Sequence, residues 1–131
     1  MRRLDDRVTV SPQIREADLP DLKAAGVTVI VNNRPDGEEG DQPDGETIRQ
    51  AAEALGLAYV GAPFTGRPPR SAADALKAAL ESTEGAVHAY CKSGTRSTWA
   101  WALMSASEGM PPDEIVARGA GAGYDLSPLF A

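Results

Sequence analysis

The residues best suited to chemistry in this chain surround Cys91, which is its only cysteine. Cys91 opens a short turn that lies between an apolar stretch typical of a strand and a stretch typical of a helix. A thiol becomes a strong nucleophile when it is ionised, and the N–H groups of a turn and of a helix N-terminus favour the anion. The pattern therefore predicts a thiolate nucleophile at Cys91.

The rest of the turn supplies groups that can bind an anion above the sulfur. A guanidinium such as that of Arg96 grips an oxyanion through two parallel hydrogen bonds, and the amides of a turn form a concave nest for the same group. We expect Ser97 to hydrogen-bond the thiolate and Lys92 to attract anions at the rim. The predicted catalytic residues are Cys91 and Arg96, and the predicted anion-binding loop comprises Lys92, Ser93, Gly94, Thr95 and Ser97.

Two plainer interpretations accompany this prediction. A lone cysteine is often an inert core residue, but an arginine at this spacing and a glycine in the turn favour a thiolate site for Cys91. His88 is the only histidine and has no partners at metal-binding spacing. We therefore predict a structural role for His88, no metal site and no cofactor.

Size and composition limit the classes of protein that the chain can belong to. With 131 residues, 42% of them apolar and 24% charged, the chain is predicted to form a single domain over residues 1–131. A net charge of −6 argues against a nucleic-acid partner, because phosphate contacts require a basic surface. The longest branched apolar stretch, 27–31, is too short to span a membrane.

The N-terminus and the cysteine content bear on the compartment. Two early arginines are followed by acidic residues instead of an apolar segment, which does not resemble a signal peptide. A single cysteine cannot form an internal disulfide, and a free thiol agrees with a reducing compartment. We therefore expect the protein in the cytoplasm, without membrane attachment.

Strand-like and helix-like segments alternate along the chain. This alternation predicts an α/β fold with a central, mostly parallel sheet and helices on both faces. Ligands of such folds bind beyond the carboxyl ends of the strands, which is where Cys91 falls. The predicted strands are 8–10, 27–31, 57–60 and 86–90, and the predicted helices are 16–25, 46–55, 71–80, 96–108 and one that begins near Pro112. In the fourth of these helices, Trp99 and Leu103 are predicted to face the core.

Three segments carry a specific family resemblance. They are the Cys91 loop followed by Trp101, the stretch Val29–Glu38, and the tail Ala122–Leu126. Together they resemble the phosphatase-like domain family of the bacterial beta-lactamase hydrolase-like proteins, over nearly the whole chain. The resemblance implies the three-layer sandwich of dual-specificity protein tyrosine phosphatases, and many members of the family are described as sulfur transferases.

Two departures from the phosphatase pattern bear on the reaction. Only four residues separate Cys91 from Arg96, one fewer than in protein tyrosine phosphatases, and a smaller turn suits a single sulfur atom better than a phosphoryl group. Phosphatases also need an Asp some way before the cysteine as general acid, yet residues 54–73 contain no Asp or Glu. Acids that could fold over the pocket instead are Asp36, Glu38, Glu39, Asp41 and Asp44.

Both departures favour a rhodanese-type sulfurtransferase. In this interpretation Cys91 takes a sulfane sulfur from a small anionic donor and carries it as a persulfide. Because the chain has no second cysteine, the acceptor must be an external thiol or a partner protein. Two alternatives stay open: a cysteine-based phosphatase that acts on a phosphoester through a phosphocysteine, and an inactive anion-binding module.

Overall fold

Five strands form a single sheet in the computed structural model, which describes residues 1–130. The sheet order is β1-β2-β5-β3-β4; β1 pairs antiparallel with β2, and all other pairs are parallel. The parallel strands therefore end at one edge of the sheet. The strands are β1 Arg2–Arg3, β2 Val8–Ser11, β3 Val27–Asn32, β4 Ala58–Gly61 and β5 Ala86–Tyr90.

Helices cover both faces of this sheet. The helices are α1 Leu19–Ala24, α2 Gly45–Ala54, α3 Arg70–Glu81, α4 Thr95–Ser107 and α5 Pro112–Gly121. Side chains of α3, α4 and α5 pack with one face of the central strands, and those of α1 and α2 pack with the other. The three-layer α/β sandwich predicted from the sequence is confirmed.

Strand β3 explains why the sheet is buried on both sides. Its β-branched residues alternate, so that Val29 and Val31 join the core under α3 and α4 while Ile30 joins the core under α1 and α2. All three are at most 2% exposed. Strand β5 lies in the middle of the sheet, between β2 and β3. Cys91, which follows β5, therefore lies at the centre of the row formed by the carboxyl ends of the parallel strands.

His88 is held inside the sheet by two hydroxyl groups. Its Nδ1 lies 2.7 Å from Thr9 Oγ1, and its Nε2 lies 2.8 Å from Ser11 Oγ. Burial lowers the pKa of His88 to about 4, so the ring is neutral at physiological pH. These contacts agree with the structural role predicted for this residue.

Two local predictions need correction. The segment predicted as helix 16–25 begins with a 3₁₀ turn, Glu16–Asp18, and becomes α-helical only at Leu19. In α4, Trp101 is completely buried and donates its indole N–H to Asp5 Oδ2 at 2.8 Å, whereas Trp99 and Leu103 lie at the border of the core. Because α4 contacts the sheet, α3 and α5, its buried arc is wider than a single apolar stripe.

Within residues 1–130, none of the helices has the length and apolar character needed to cross a membrane.

Candidate active site

The loop that carries Cys91 turns sharply from the end of β5 into the start of α4. We refer to residues 91–97 as the nucleophile loop, after the role predicted for Cys91. Gly94 takes a φ of +93°, a left-handed conformation that glycine adopts without steric cost, and α4 begins at the next residue. A Cβ atom at Gly94 would collide with the hydroxyl end of Tyr124. Both the backbone conformation and the close approach of Tyr124 therefore require glycine here.

The sulfur of Cys91 lies at the bottom of the nucleophile loop. The backbone N–H of Gly94 donates a hydrogen bond to Cys91 Sγ, with 3.1 Å between nitrogen and sulfur. Cys91 has no exposed surface in this state. An N–H group aimed at the sulfur stabilises the thiolate more than the thiol, because the bond to an ionised acceptor is stronger.

Arg96 extends from the first turn of α4 and forms a two-pronged ion pair with Glu38. Its Nη2 lies 2.8 Å from Glu38 Oε1, and its Nη1 lies 2.9 Å from Oε2. Nη1 also donates to the carbonyl oxygen of Phe64 at 3.1 Å. The bond to Glu38 raises the pKa of Arg96, and the nearby Cys91 raises it further. The guanidinium is therefore charged, close to the sulfur and already holding a carboxylate.

Glu38 is held at this position by a second arginine. Arg34 donates from Nε to Glu38 and from Nη2 to Glu39, at 2.9 Å each, and from Nη1 to Gln13 at 3.0 Å. The Arg34 side chain is only 3% exposed. Hydrogen bonds from Arg96, and then from Arg34, lower the pKa of Glu38 to about 2. Glu38 is thus an ionised carboxylate that occupies the guanidinium face assigned by sequence to a substrate anion.

The remaining predicted loop residues lie at the rim or beneath it. Lys92 is exposed and pairs with Glu39 at 3.7 Å. Ser93 Oγ donates to Thr95 Oγ1 at 3.0 Å and accepts from the Thr95 N–H at 3.3 Å, so these two residues are bonded to each other. Ser97 is fully buried, and its hydroxyl has no hydrogen-bond partner among residues 1–130. The expected bond from Ser97 to the sulfur is therefore not formed in this state.

Sequence reasoning located the loop but not all the groups around it. Glu38 was one of five candidate acids, and its four-residue spacing from Arg34 was the signal that could have singled it out. The carbonyl of Phe64 and the hydroxyl of Tyr124 carry no motif that indicates a contact with the loop. Of the five acids that could fold over the pocket, Glu38 is thus the one that reaches Arg96.

The arrangement combines a thiol, a hydrogen-bond donor to its sulfur and a fixed cation. Such a set can attack an atom bonded to anionic oxygens while the guanidinium and the loop amides hold those oxygens. No cluster of three His, Cys, Asp or Glu side chains that could hold a metal ion is found within the described part of the chain.

Comparison with known proteins places this geometry in context. Residues 1–108 match the family model described as the phosphatase-like domain of beta-lactamase hydrolase-like protein. A beta-lactamase hydrolase-like protein of Xylella fastidiosa is 37% identical over 125 residues, which is 94% of this chain but only 29% of that relative. The chain therefore spans less than a third of the length of this curated relative.

Solved structures agree with the family match. A candidate phosphatase from Neisseria meningitidis Z2491 has a TM-score of 0.85 and 35% identity, covering 98% of this chain and 92% of the other. A kinase associated phosphatase has a TM-score of 0.67 at 14% identity, covering 91% and 77%. At such low identity the second comparison shows the fold alone, which is that of the protein tyrosine phosphatases.

Proposed function

The chain belongs to the phosphatase-like domain family of the beta-lactamase hydrolase-like proteins, and from that membership we propose that it is a cysteine-based phosphatase with Cys91 as nucleophile. The observation that carries the proposal is the pairing at the nucleophile loop of a sulfur that accepts the Gly94 N–H with the fixed guanidinium of Arg96. The substrate class is a small phosphoester or a phosphorylated protein side chain.

The proposed reaction has two steps. The Cys91 thiolate forms a bond to phosphorus as the ester P–O bond breaks, and the leaving oxygen takes the electron pair and a proton. Water then attacks the phosphocysteine, which releases inorganic phosphate and regenerates the thiolate. Arg96 and the free amides of the first turn of α4 bind the phosphoryl oxygens, on which charge develops in both steps.

Glu38 gives this reaction a proton donor that residues 54–73 lack. In the resting state Glu38 is ionised because Arg96 and Arg34 surround it. A phosphoryl group that binds Arg96 must displace Glu38 from the guanidinium. The displaced carboxylate then loses its strongest stabilising partner and lies beside a doubly charged anion, so its pKa rises. It can then take a proton from solvent and pass it to the leaving oxygen.

Hydrolysis of p-nitrophenyl phosphate by the wild-type protein and by Cys91→Ser tests the proposal. We expect activity in the wild type and a loss of at least a thousandfold in the variant, because a serine hydroxyl is not ionised at neutral pH. Thermal unfolding of both proteins controls for folding. Undiminished hydrolysis by the folded variant would refute the nucleophilic role of Cys91.

Sulfur transfer is the second candidate, and the short spacing between Cys91 and Arg96 favours it. The Cys91 thiolate would attack the outer sulfur of a donor such as thiosulfate, and sulfite would leave with the electron pair of the broken S–S bond. No proton donor is needed, which suits a site whose nearest acid is ionised. An external thiol, either a small molecule or a partner protein, would take the sulfur from the persulfide.

Both activities can be measured on one preparation. Sulfur transfer predicts thiosulfate-to-cyanide turnover and a gain of about 32 mass units on Cys91. Phosphate release without a persulfide supports the phosphatase, whereas a persulfide without phosphate release supports the transferase. A reducing compartment such as the cytoplasm, which we propose as the site of action, would keep Cys91 free for either reaction.

A further inference from the structure

Tyr124 reaches the nucleophile loop from a segment that lies beyond the matched family residues 1–108. Helix α5 ends just before it, and Gly123 takes a φ of +93° that turns the chain back. The Tyr124 N–H donates to the Gly119 carbonyl at 2.8 Å, and Leu126 is completely buried in the core. The tail is therefore anchored on both sides of Tyr124.

The hydroxyl of Tyr124 donates to the carbonyl oxygen of Ser93 at 3.0 Å. That carbonyl belongs to the same peptide unit as the Gly94 N–H, and none of the described peptide bonds is cis. In a planar trans peptide the C=O and N–H groups point in opposite directions. Holding the carbonyl on the outside of the loop therefore turns the Gly94 N–H inward, where it lies 3.1 Å from Cys91 Sγ.

A rotation of this peptide would remove the donor from the sulfur. Gly94 has the conformational freedom for such a rotation, because its φ is positive and it carries no side chain. On the other side of Gly94, its carbonyl is held by the N–H and the hydroxyl of Thr98, at 3.0 and 2.8 Å. The Ser93–Gly94 peptide is thus fixed from the outside by Tyr124.

We propose that Tyr124 is a positioning residue that fixes the Ser93–Gly94 peptide in the orientation that presents the Gly94 N–H to the Cys91 sulfur. The inference rests on the proposed nucleophilic role of Cys91, but it holds for phosphoryl and sulfur transfer alike. Tyr124 acts through the peptide and need not touch a substrate.

The charged groups near the sulfur have other hydrogen-bond partners than the Ser93 carbonyl. Arg96 donates to Glu38 and to the Phe64 carbonyl, and Arg2 is close enough to Tyr124 to act on its charge. Burial, and then the proximity of Cys91, raise the pKa of Tyr124 despite the opposing effect of Arg2. The phenol is therefore protonated at neutral pH and available as a donor to the Ser93 carbonyl.

Tyr124→Phe tests the proposal because it removes the hydroxyl and keeps the ring. The readout is the rate of Cys91 alkylation by iodoacetamide across a pH series, without substrate, because the thiolate is the species that reacts. The matched control is Tyr59→Phe, whose hydroxyl is bonded to the Asn32 side chain and not to the loop. Unfolding curves of both variants confirm that they fold.

We expect the midpoint of alkylation to rise by about one pH unit in Tyr124→Phe, the shift expected when a hydrogen bond to a charged group is lost. Tyr59→Phe should leave it unchanged. At a pH below this midpoint we also expect kcat/KM to fall roughly tenfold in Tyr124→Phe, because there the thiolate fraction falls tenfold for each pH unit by which the midpoint rises. An unchanged midpoint in the folded variant would overturn the proposal.

A second measurement needs no variant that could misfold. In the wild-type protein, the amide proton resonance of Gly94 should shift with pH in parallel with the alkylation of Cys91. A Gly94 resonance that does not follow the sulfur would also overturn the proposal. The outcome is separable from that of the proposed function, because alkylation and the amide resonance report on the sulfur whichever substrate the protein turns over.

Discussion

Residues 91–97 form one continuous loop, whereas the side chains that cover it, Glu38 and Tyr124, contact residues 58 and 31 positions away along the chain. The nucleophile loop supplies the sulfur, the Gly94 N–H and the guanidinium from its own sequence. The cover, which we define as Glu38 and Tyr124, supplies no nucleophile but decides what the guanidinium binds and where the amide points. The reacting groups of the site thus come from one short stretch of the chain, whereas contacts from distant residues set the orientation of these groups.

The largest effect on activity is expected in the nucleophile loop, at Arg96. Arg96→Lys keeps the positive charge but loses the planar fork that binds two oxygens at once. We expect kcat/KM for p-nitrophenyl phosphate to fall roughly a hundredfold or more, the range found when one donor to a developing oxyanion is removed. Arg49→Lys, at a partly exposed arginine that pairs with Glu46 and Glu53 on α2, is the control. A lysine variant with wild-type kinetics would mean that charge alone suffices.

Substitution of Glu38, in the cover, should change KM in the opposite direction from a loss of substrate binding. Glu38→Gln removes the charge that competes with substrate for Arg96, and we expect KM to fall by about fivefold, in keeping with the weaker hydrogen bonds of a neutral acceptor. If Glu38 also donates the proton, kcat should fall roughly a hundredfold for phenyl phosphate and much less for p-nitrophenyl phosphate, whose leaving group needs no proton.

The matched control for Glu38 is Asp41→Asn. Asp41 lies in the same acidic segment, but its carboxylate is 84% exposed and lies 4.0 Å from Arg15, on the outside of the molecule. Steady-state kinetics with both substrates should match the wild type. Equal losses in the two variants would point to a general effect of segment charge and would remove Glu38 from its special position.

Much of the nucleophile loop could be predicted from the sequence because its residues are consecutive in the chain. A lone cysteine after a strand, a glycine and an arginine at fixed spacing limit the local geometry, and the alternation of strands and helices fixes the sheet edge on which they lie. The β-branched stretch at 27–31 likewise predicts a strand buried on both faces, and Val29, Ile30 and Val31 confirm it.

The contacts of the cover, Glu38 and Tyr124, could not be predicted from the sequence in the same way. Which of five acids reaches Arg96 depends on the path of the segment after β3 and on the buried Arg34, and both are set by tertiary packing. The contact from Tyr124 depends on the turn at Gly123 and on the burial of Leu126. The burial of Trp101 was missed for a related reason, since α4 is enclosed by three neighbours instead of one.

The smallest effects are expected on stability, at the hydroxyls of the adjacent residues Ser97 and Thr98 near the start of α4. Ser97 is buried without a partner in the described residues, whereas Thr98 donates to the Gly94 carbonyl at 2.8 Å. Ser97→Ala should raise the free energy of unfolding by about 1 kcal/mol and Thr98→Val should lower it by a similar amount, because only the second loses a hydrogen bond. Urea unfolding measures both. A destabilised Ser97→Ala would show that its hydroxyl has a partner in the folded protein.

A nucleophilic Cys91 must form a covalent bond to the group that it transfers. Rapid acid quenching during turnover, followed by mass spectrometry of the peptide that contains Cys91, detects this bond. With a phosphoester substrate, we expect a phosphoryl group on Cys91 that is absent from Cys91→Ser and that accumulates when hydrolysis of the intermediate is slow. Sustained turnover with an unmodified Cys91, for phosphoester and thiosulfate alike, would contradict the nucleophilic role of Cys91.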